Sequence, residues 1–200
     1  MNRSYESSVF SRSLQEHLEC FSKISSIEND ILRSANTMLE TLRSGGKILV
    51  CGNGGSAADA QHFTAEIVGR FYKNRKALPA IALSTDTSII TAVGNDFGFD
   101  CIFSRQVEAL GNTNDILLLL STSGNSHNLL NAVAKGSEKG LGTIALLGKD
   151  GGDLMKCVDI PVIVPSFDTP RIQEVHGFIV HLWAEIIESL LCTAGEGEKR

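Results

Sequence analysis

The chain has 200 residues, 42% of them hydrophobic and 20% charged, and a formal net charge of −5 at pH 7. That composition excludes a largely disordered chain and suits one domain with a sizeable core. The negative balance excludes a general electrostatic attraction for nucleic acid, whose binding rests on neutralising phosphates.

Residues 1–12 are polar and lack an apolar signal region. No fully apolar run is long enough to cross a bilayer. The expected location is therefore the cytoplasm, with no membrane partner. The five cysteines, Cys20, Cys51, Cys101, Cys157 and Cys192, are odd in number and widely spaced. No Cys-x-x-Cys pair occurs, so reduced thiols are expected rather than a disulfide framework or a cysteine zinc site.

Helices are predicted for the first forty or so residues. Phe10, Leu14, Leu18 and Phe21 recur at helical spacing. Ile27, Ile31, Leu32, Met38, Leu39 and Leu42 form a second set, closed by Gly45 and Gly46. The period then changes. Residues 47–51 (KILVC) predict a buried strand, and residues 52–55 a glycine loop. Ser56 is the expected N-cap of a helix reaching Val68. A second strand is predicted at 80–83, a short helix at 87–93, a loop at 94–99 and a helix at 101–110. Residues 115–120 (DILLLL) predict the most apolar strand, followed by a loop at 121–125 and a helix from 126 to 139. Strands at 143–147 and 160–164 precede a long helix at 170–191 and a frayed tail at 192–200.

Strands alternating with helices predict an α/β fold: a doubly wound, parallel, five-stranded sheet flanked by helices, with extra N-terminal helices. Residues 1–200 read as a single domain: N-terminal helices over 1–44, an α/β core over 45–191 and the tail. Right-handed crossovers line up the loops that follow the strands along one edge, where ligands of such sheets bind.

Two of those loops carry unusual chemistry. Cys51-Gly52-Asn53-Gly54-Gly55-Ser56 has more glycine than a strand–helix turn requires, and it opens a helix whose free N–H groups and dipole favour an anion. Ser121-Thr122-Ser123-Gly124-Asn125-Ser126 offers four hydroxyls at the start of another helix, where one would suffice for a cap. Both predict a phosphate-bearing ligand. The first loop also fits G-x-G-x-x-A, a dinucleotide fingerprint. The acidic residue that pattern needs about 20 positions on is absent, since Asp86 comes too late.

His62 and Glu66 stand four apart and share a face of the helix that leaves the glycine loop. Gln173 and His181 lie eight apart on one face of the last helix, roughly 12 Å along its axis. His176 falls on another face and reads as structural, while His17 and His127 have no supporting context.

The strings CGNGGSAADAQHFTAEIVGRF, GNDFGFDCIFSRQVEALG, STSGNS, KDGG and RIQEVHGFIVH resemble, in order, the phosphoheptose isomerases of the sugar isomerase (SIS) domain family. The resemblance runs from Gly45 to Leu191. It implies the SIS fold, a homotetramer, a sugar-phosphate substrate and a ketose–aldose isomerisation feeding heptose and lipopolysaccharide precursors. Substrate contacts map by resemblance onto Asn53, Gly54, Gly55, Ser56, Asn95, Asp96, Ser121, Thr122, Ser123, Ser126 and Gln173. A zinc ion, one per subunit, maps onto His62, Glu66, Gln173 and His181. Enediol chemistry needs a base and an acid partner, for which Glu66 and His181 are the candidates, although a zinc-bound Glu is a weaker base. Alternative readings are an isomerase of another sugar phosphate, or a non-catalytic relative of the same fold that binds the replication initiator. That relative lacks Glu and His at the positions of Glu66 and His181.

Overall fold

The apolar run around Val50 folds as β1 (Ile48–Gly52), with all five residues buried. The other expected strands follow as β2 (Ala80–Ala82), β3 (Ile116–Ser121), β4 (Gly142–Leu147) and β5 (Ile160–Ile163). All pair in parallel, in the order β2-β1-β3-β4-β5. Parallel strands need crossovers, and the helices making them cover both faces, which is why these strands read as continuous apolar runs.

The computed structural model describes residues 3–192; the part of the expected tail beyond Cys192 lies outside the described residues. The helices are α1 (Arg3–Phe21), α2 (Glu28–Arg43), α3 (Gly55–Val68), α4 (Thr87–Phe97), α5 (Ser104–Leu110), α6 (His127–Glu138) and α7 (Thr169–Cys192). Short 3-10 turns lie at Ile24–Ile27, Phe99–Cys101 and Leu154–Lys156.

Successive residues of each strand feed opposite cores. Ile48, Val50, Leu118 and Leu146 pack with α2, α3 and α7, while Leu49, Cys51, Leu117 and Leu119 pack with α5 and α6. By length and apolar composition α7 could cross a membrane, but in this fold it is a core helix. Nine of its residues are buried, and Trp183 donates its indole N–H to the Ile31 carbonyl at 3.0 Å.

Three local expectations need correction. Ser56 is not the N-cap of α3. Gly54 takes that place, with φ +57° and ψ −123°, and Ser56 is buried in the first turn. Helix α4 runs four residues past the expected end, so Asn95 and Asp96 sit on a helix instead of a loop. Asp86 starts that helix by accepting the Ile89 N–H at 2.9 Å, Gly94 is carried inside it, and Gly98 at φ +89° ends it. The helix expected at 101–110 is split into a 3-10 turn and α5.

β1 has β2 on one side and β3 on the other, so the connections that leave β1 and β3 diverge. Their two loops therefore meet at the topological switch point, the ligand crevice of open α/β sheets.

Candidate active site

At that crevice Asn53, Ser56, Ser121, Thr122, Ser123, Ser126, Leu120 and Gln173 line one cavity of about 110 Å³. The structure thus gathers the glycine loop, the Ser/Thr loop and the start of α7 around a small polar space. The two loops are locked together. Asn53 and Asn128 each donate an amide N–H to the other's carbonyl oxygen, both at 2.9 Å. Asn128 is buried in the first turn of α6, and nothing in the sequence marked it.

The Ser/Thr loop is preformed. Ser121 Oγ accepts the Gly124 N–H at 3.1 Å, and Ser123 Oγ accepts the Asn125 N–H at 3.3 Å. Ser126 precedes α6, but its hydroxyl makes no capping bond, so it remains available to a ligand. The KDGG string holds the loop from behind. Gly124 has φ +69°, and a Cβ there would meet the Gly151 carbonyl oxygen at 2.0 Å. Leu154 N–H donates to the Gly124 carbonyl at 2.9 Å, and Asp153 N–H to Asn125 Oδ1 at 3.0 Å.

Gln173 reaches from α7 over the glycine loop. A Cβ on Gly55 would stand 2.5 Å from Gln173 Nε2, so glycine is what allows the amide that position. Beyond Gly54 there is open space, so a ligand can approach the backbone there.

Further along the same two helices lies a second group. His62 and Glu66 of α3 meet His181 of α7. His62 Nε2 is 3.0 Å from His181 Nε2 and 3.4 Å from Glu66 Oε1. The two rings stand edge to face at 4.6 Å, and Phe71 lies 5.7 Å from the His181 ring. Two facing imidazole nitrogens at that distance cannot both carry a proton. Two lone pairs and a carboxylate oxygen, all within 4.8 Å of one another, can instead converge on a cation. Two imidazoles and one carboxylate are a donor set that suits zinc with a position left open.

Burial pushes the Asp59 carboxyl up, an effect that His62 opposes. His176 is fully buried. Desolvation drives its pKa down to about 4 against the opposing pull of its 3.1 Å bond to the Leu147 carbonyl. His17 pairs with Glu174 at 2.9 Å, joining α1 to α7. Asp86, the residue the dinucleotide reading would need, is engaged as the α4 cap. All five cysteines are free thiols. Asn95 and Asp96 are exposed on α4, hydrogen-bonded to each other at 2.8 Å, and do not line the cavity within this chain.

A family model described as the SIS domain matches residues 11–148. The chain belongs to the SIS domain family. A phosphoheptose isomerase of Trichlorobacter lovleyi is 52% identical over 193 residues, covering 95% of this chain and 98% of that one. The solved phosphoheptose isomerase of Neisseria gonorrhoeae superposes with a TM-score of 0.87 at 42% identity, covering 92% of this chain and 98% of that one. That of Francisella tularensis gives 0.89 at 40% identity, with 94% and 100% covered. The SIS match ends before Gln173 and His181, but these whole-chain similarities extend the family likeness through most of α7.

Proposed function

We propose that this protein is a cytoplasmic isomerase that converts sedoheptulose 7-phosphate to D-glycero-D-manno-heptose 7-phosphate. Its product would feed ADP-heptose and lipopolysaccharide precursor synthesis. The observation that carries the reading is the pairing of two sites on one pair of helices. Gly55 and Gln173 meet at the phosphate-type loops, while His62, Glu66 and His181 meet further along α3 and α7. The separation is roughly 10–12 Å along the helices. That is the order of length of an extended seven-carbon phosphate held by its phosphate at one end and reacting at the other.

The phosphate binds at Ser121, Thr122, Ser123 and Ser126, with the backbone of Gly54 and Gly55 closing the nest. These groups satisfy an anion without a bulky cation. The Asn53–Asn128 pair keeps the two loops in register, Ser56 lines the cavity as a substrate contact, and Gln173 donates to a sugar oxygen.

The reaction moves one proton between carbons and one between oxygens. Glu66 removes a proton from C1 of the ketose and returns it to C2 through an enediol. His181 moves the hydroxyl proton from O1 to O2, so atoms and charge balance. General acid–base transfer of this kind contributes about 10²–10⁴-fold. His62, Glu66 and His181 would hold one zinc ion per subunit; Gln173, expected as a fourth ligand, lies instead at the phosphate loops within this chain. When bound, that ion would polarise the carbonyl and hydroxyl oxygens. Asn95 and Asp96, exposed on α4, reach substrate in a homotetramer, where a neighbouring copy completes the site.

The test is aldose formation from sedoheptulose 7-phosphate by purified protein, set against arabinose 5-phosphate as competing substrate. Turnover of the heptose supports the reading. Turnover of the pentose alone would replace it with another sugar-phosphate isomerase.

A further inference from the structure

Behind the histidine–glutamate group lies a buried ion pair to which the reaction assigns no role. Glu188 is 2% exposed and sits on α7 two turns beyond His181, on the same face. Its carboxylate accepts three successive backbone N–H groups, from Phe71 at 2.9 Å, Tyr72 at 2.6 Å and Lys73 at 2.8 Å. It also accepts Arg75 Nε at 3.0 Å. The Arg75 guanidinium then reaches the end of α3. Nη2 donates to the Glu66 carbonyl at 2.7 Å and Nη1 to the Ile67 carbonyl at 2.9 Å.

We propose that Glu188 and Arg75 are positioning residues for the reaction: together they fix the last turn of α3, and with it Glu66, relative to His181. The inference rests on the isomerase reading given above. The last carbonyls of a helix have no intrahelical partner, so a cation bonded to them both caps the helix and opposes its dipole. Here that cation is tied to the helix bearing His181. The same carboxylate orders the segment carrying Phe71, whose ring lies 5.7 Å from the His181 ring. One carboxylate and one guanidinium thus connect all three walls around the Glu66–His181 pair.

A buried ion pair is often replaceable by apolar residues of equal volume with no loss of stability. An apolar pair could not satisfy the carbonyls of residues 66 and 67 and the N–H groups of 71–73 at once. Burial would raise the Glu188 carboxyl, but the three N–H groups and Arg75 outweigh it and hold it below the usual range. The carboxylate is therefore held in its ionised form.

The experiment compares Arg75→Met with the double variant Arg75→Met/Glu188→Gln, measuring kcat, KM, the melting point and zinc affinity by competition with a chromophoric chelator. Arg75→Met leaves a buried carboxylate without its cation and melts lower. The double variant removes that lone charge but keeps one acceptor oxygen where the carboxylate had two, and regains part of the melting point. Both variants are expected to lose at least about tenfold in kcat with KM within about twofold, because the phosphate loops lie at the other end of α3. Zinc affinity should fall about 10–100-fold, the usual effect of removing groups that orient ligands. Unchanged kcat and zinc affinity per folded molecule, whatever the melting points, would overturn the proposal and leave a purely structural pair. If the parent protein turns over no sedoheptulose 7-phosphate, the isomerase reading fails and the zinc arm still decides this one. A parent protein with neither turnover nor zinc uptake would overturn both.

Discussion

Replacing Gly55 with Ala isolates the role of the Gln173 amide. Gly55 is the first residue of α3 and does not use the left-handed region, so the backbone tolerates alanine there. Alanine is also the better helix former, by up to about 1 kcal/mol in helix interiors. The added Cβ would stand 2.5 Å from Gln173 Nε2, 3.0 Å from Cδ and 3.2 Å from Oε1, where ordinary contact begins at 3.4 Å. The amide is the flexible end of a side chain, so it retreats and the backbone stays. The required shift is about 1 Å, a misplacement that can cost about 10²-fold in rate. We therefore expect Gly55→Ala to keep or slightly raise the melting point while kcat/KM for sedoheptulose 7-phosphate falls about 100-fold. The assay pairs thermal unfolding with initial-rate kinetics on the same preparation. A folded variant with kcat/KM close to that of the parent would refute the reasoning and remove the Gln173 amide from the site.

Four further outcomes are expected. Glu66→Gln keeps the fold and loses about 10²–10⁴-fold in kcat, since the amide cannot accept the carbon-bound proton; retained turnover takes Glu66 out of the mechanism. Ser123→Ala raises KM with kcat less affected, and an unchanged KM in steady-state kinetics argues against the Ser/Thr loop as phosphate site. Removing metal with a chelator should lower the melting point and zinc should restore it, because ligand bound to the folded state alone adds to stability; a melting curve indifferent to both denies the cation site. His176 adds a pH dependence. Its folded pKa lies below the ordinary value of 6.5, at about 4, so the unfolded chain binds the proton first. Stability is therefore full above pH 6.5 and falls as pH drops toward 4, by about 3 kcal/mol in all. Denaturant unfolding of His176→Phe should show a shallower loss across that window, and an identical slope would place the acid sensitivity elsewhere.

The parts of this protein written in local sequence were the ones read correctly from it. KILVC and DILLLL are strands because parallel strands covered on both faces need continuous apolar runs. Positions 62 and 66, and 173 and 181, were paired by helix periodicity, and the fold brings the two helices side by side. Gly94 misled the reading of α4, because glycine usually breaks a helix. Here Asp86 anchors the start of that helix, and a Cβ on Gly94 would meet only Ile102 at 3.9 Å. Ser56 looked like a cap, but a glycine with positive φ one residue before the helix turns the chain in its place.

What could not be read are partnerships across long stretches of chain. Asn53 and Asn128 are 75 residues apart, and Arg75 and Glu188 are 113 apart. Nothing in the neighbours of Asn128 distinguishes it from any polar residue on a helix. The one available signal is negative: Glu188 is an acidic residue amid the apolar face of α7, a place where charge survives only if paired.

The most direct test of the central claim is aldose formation from sedoheptulose 7-phosphate by the purified protein, with and without added zinc. The account predicts turnover that Glu66→Gln lowers by about 10²–10⁴-fold. Absence of turnover under both conditions, with the protein folded, would contradict it and leave a sugar-phosphate-binding or adaptor role for the same fold.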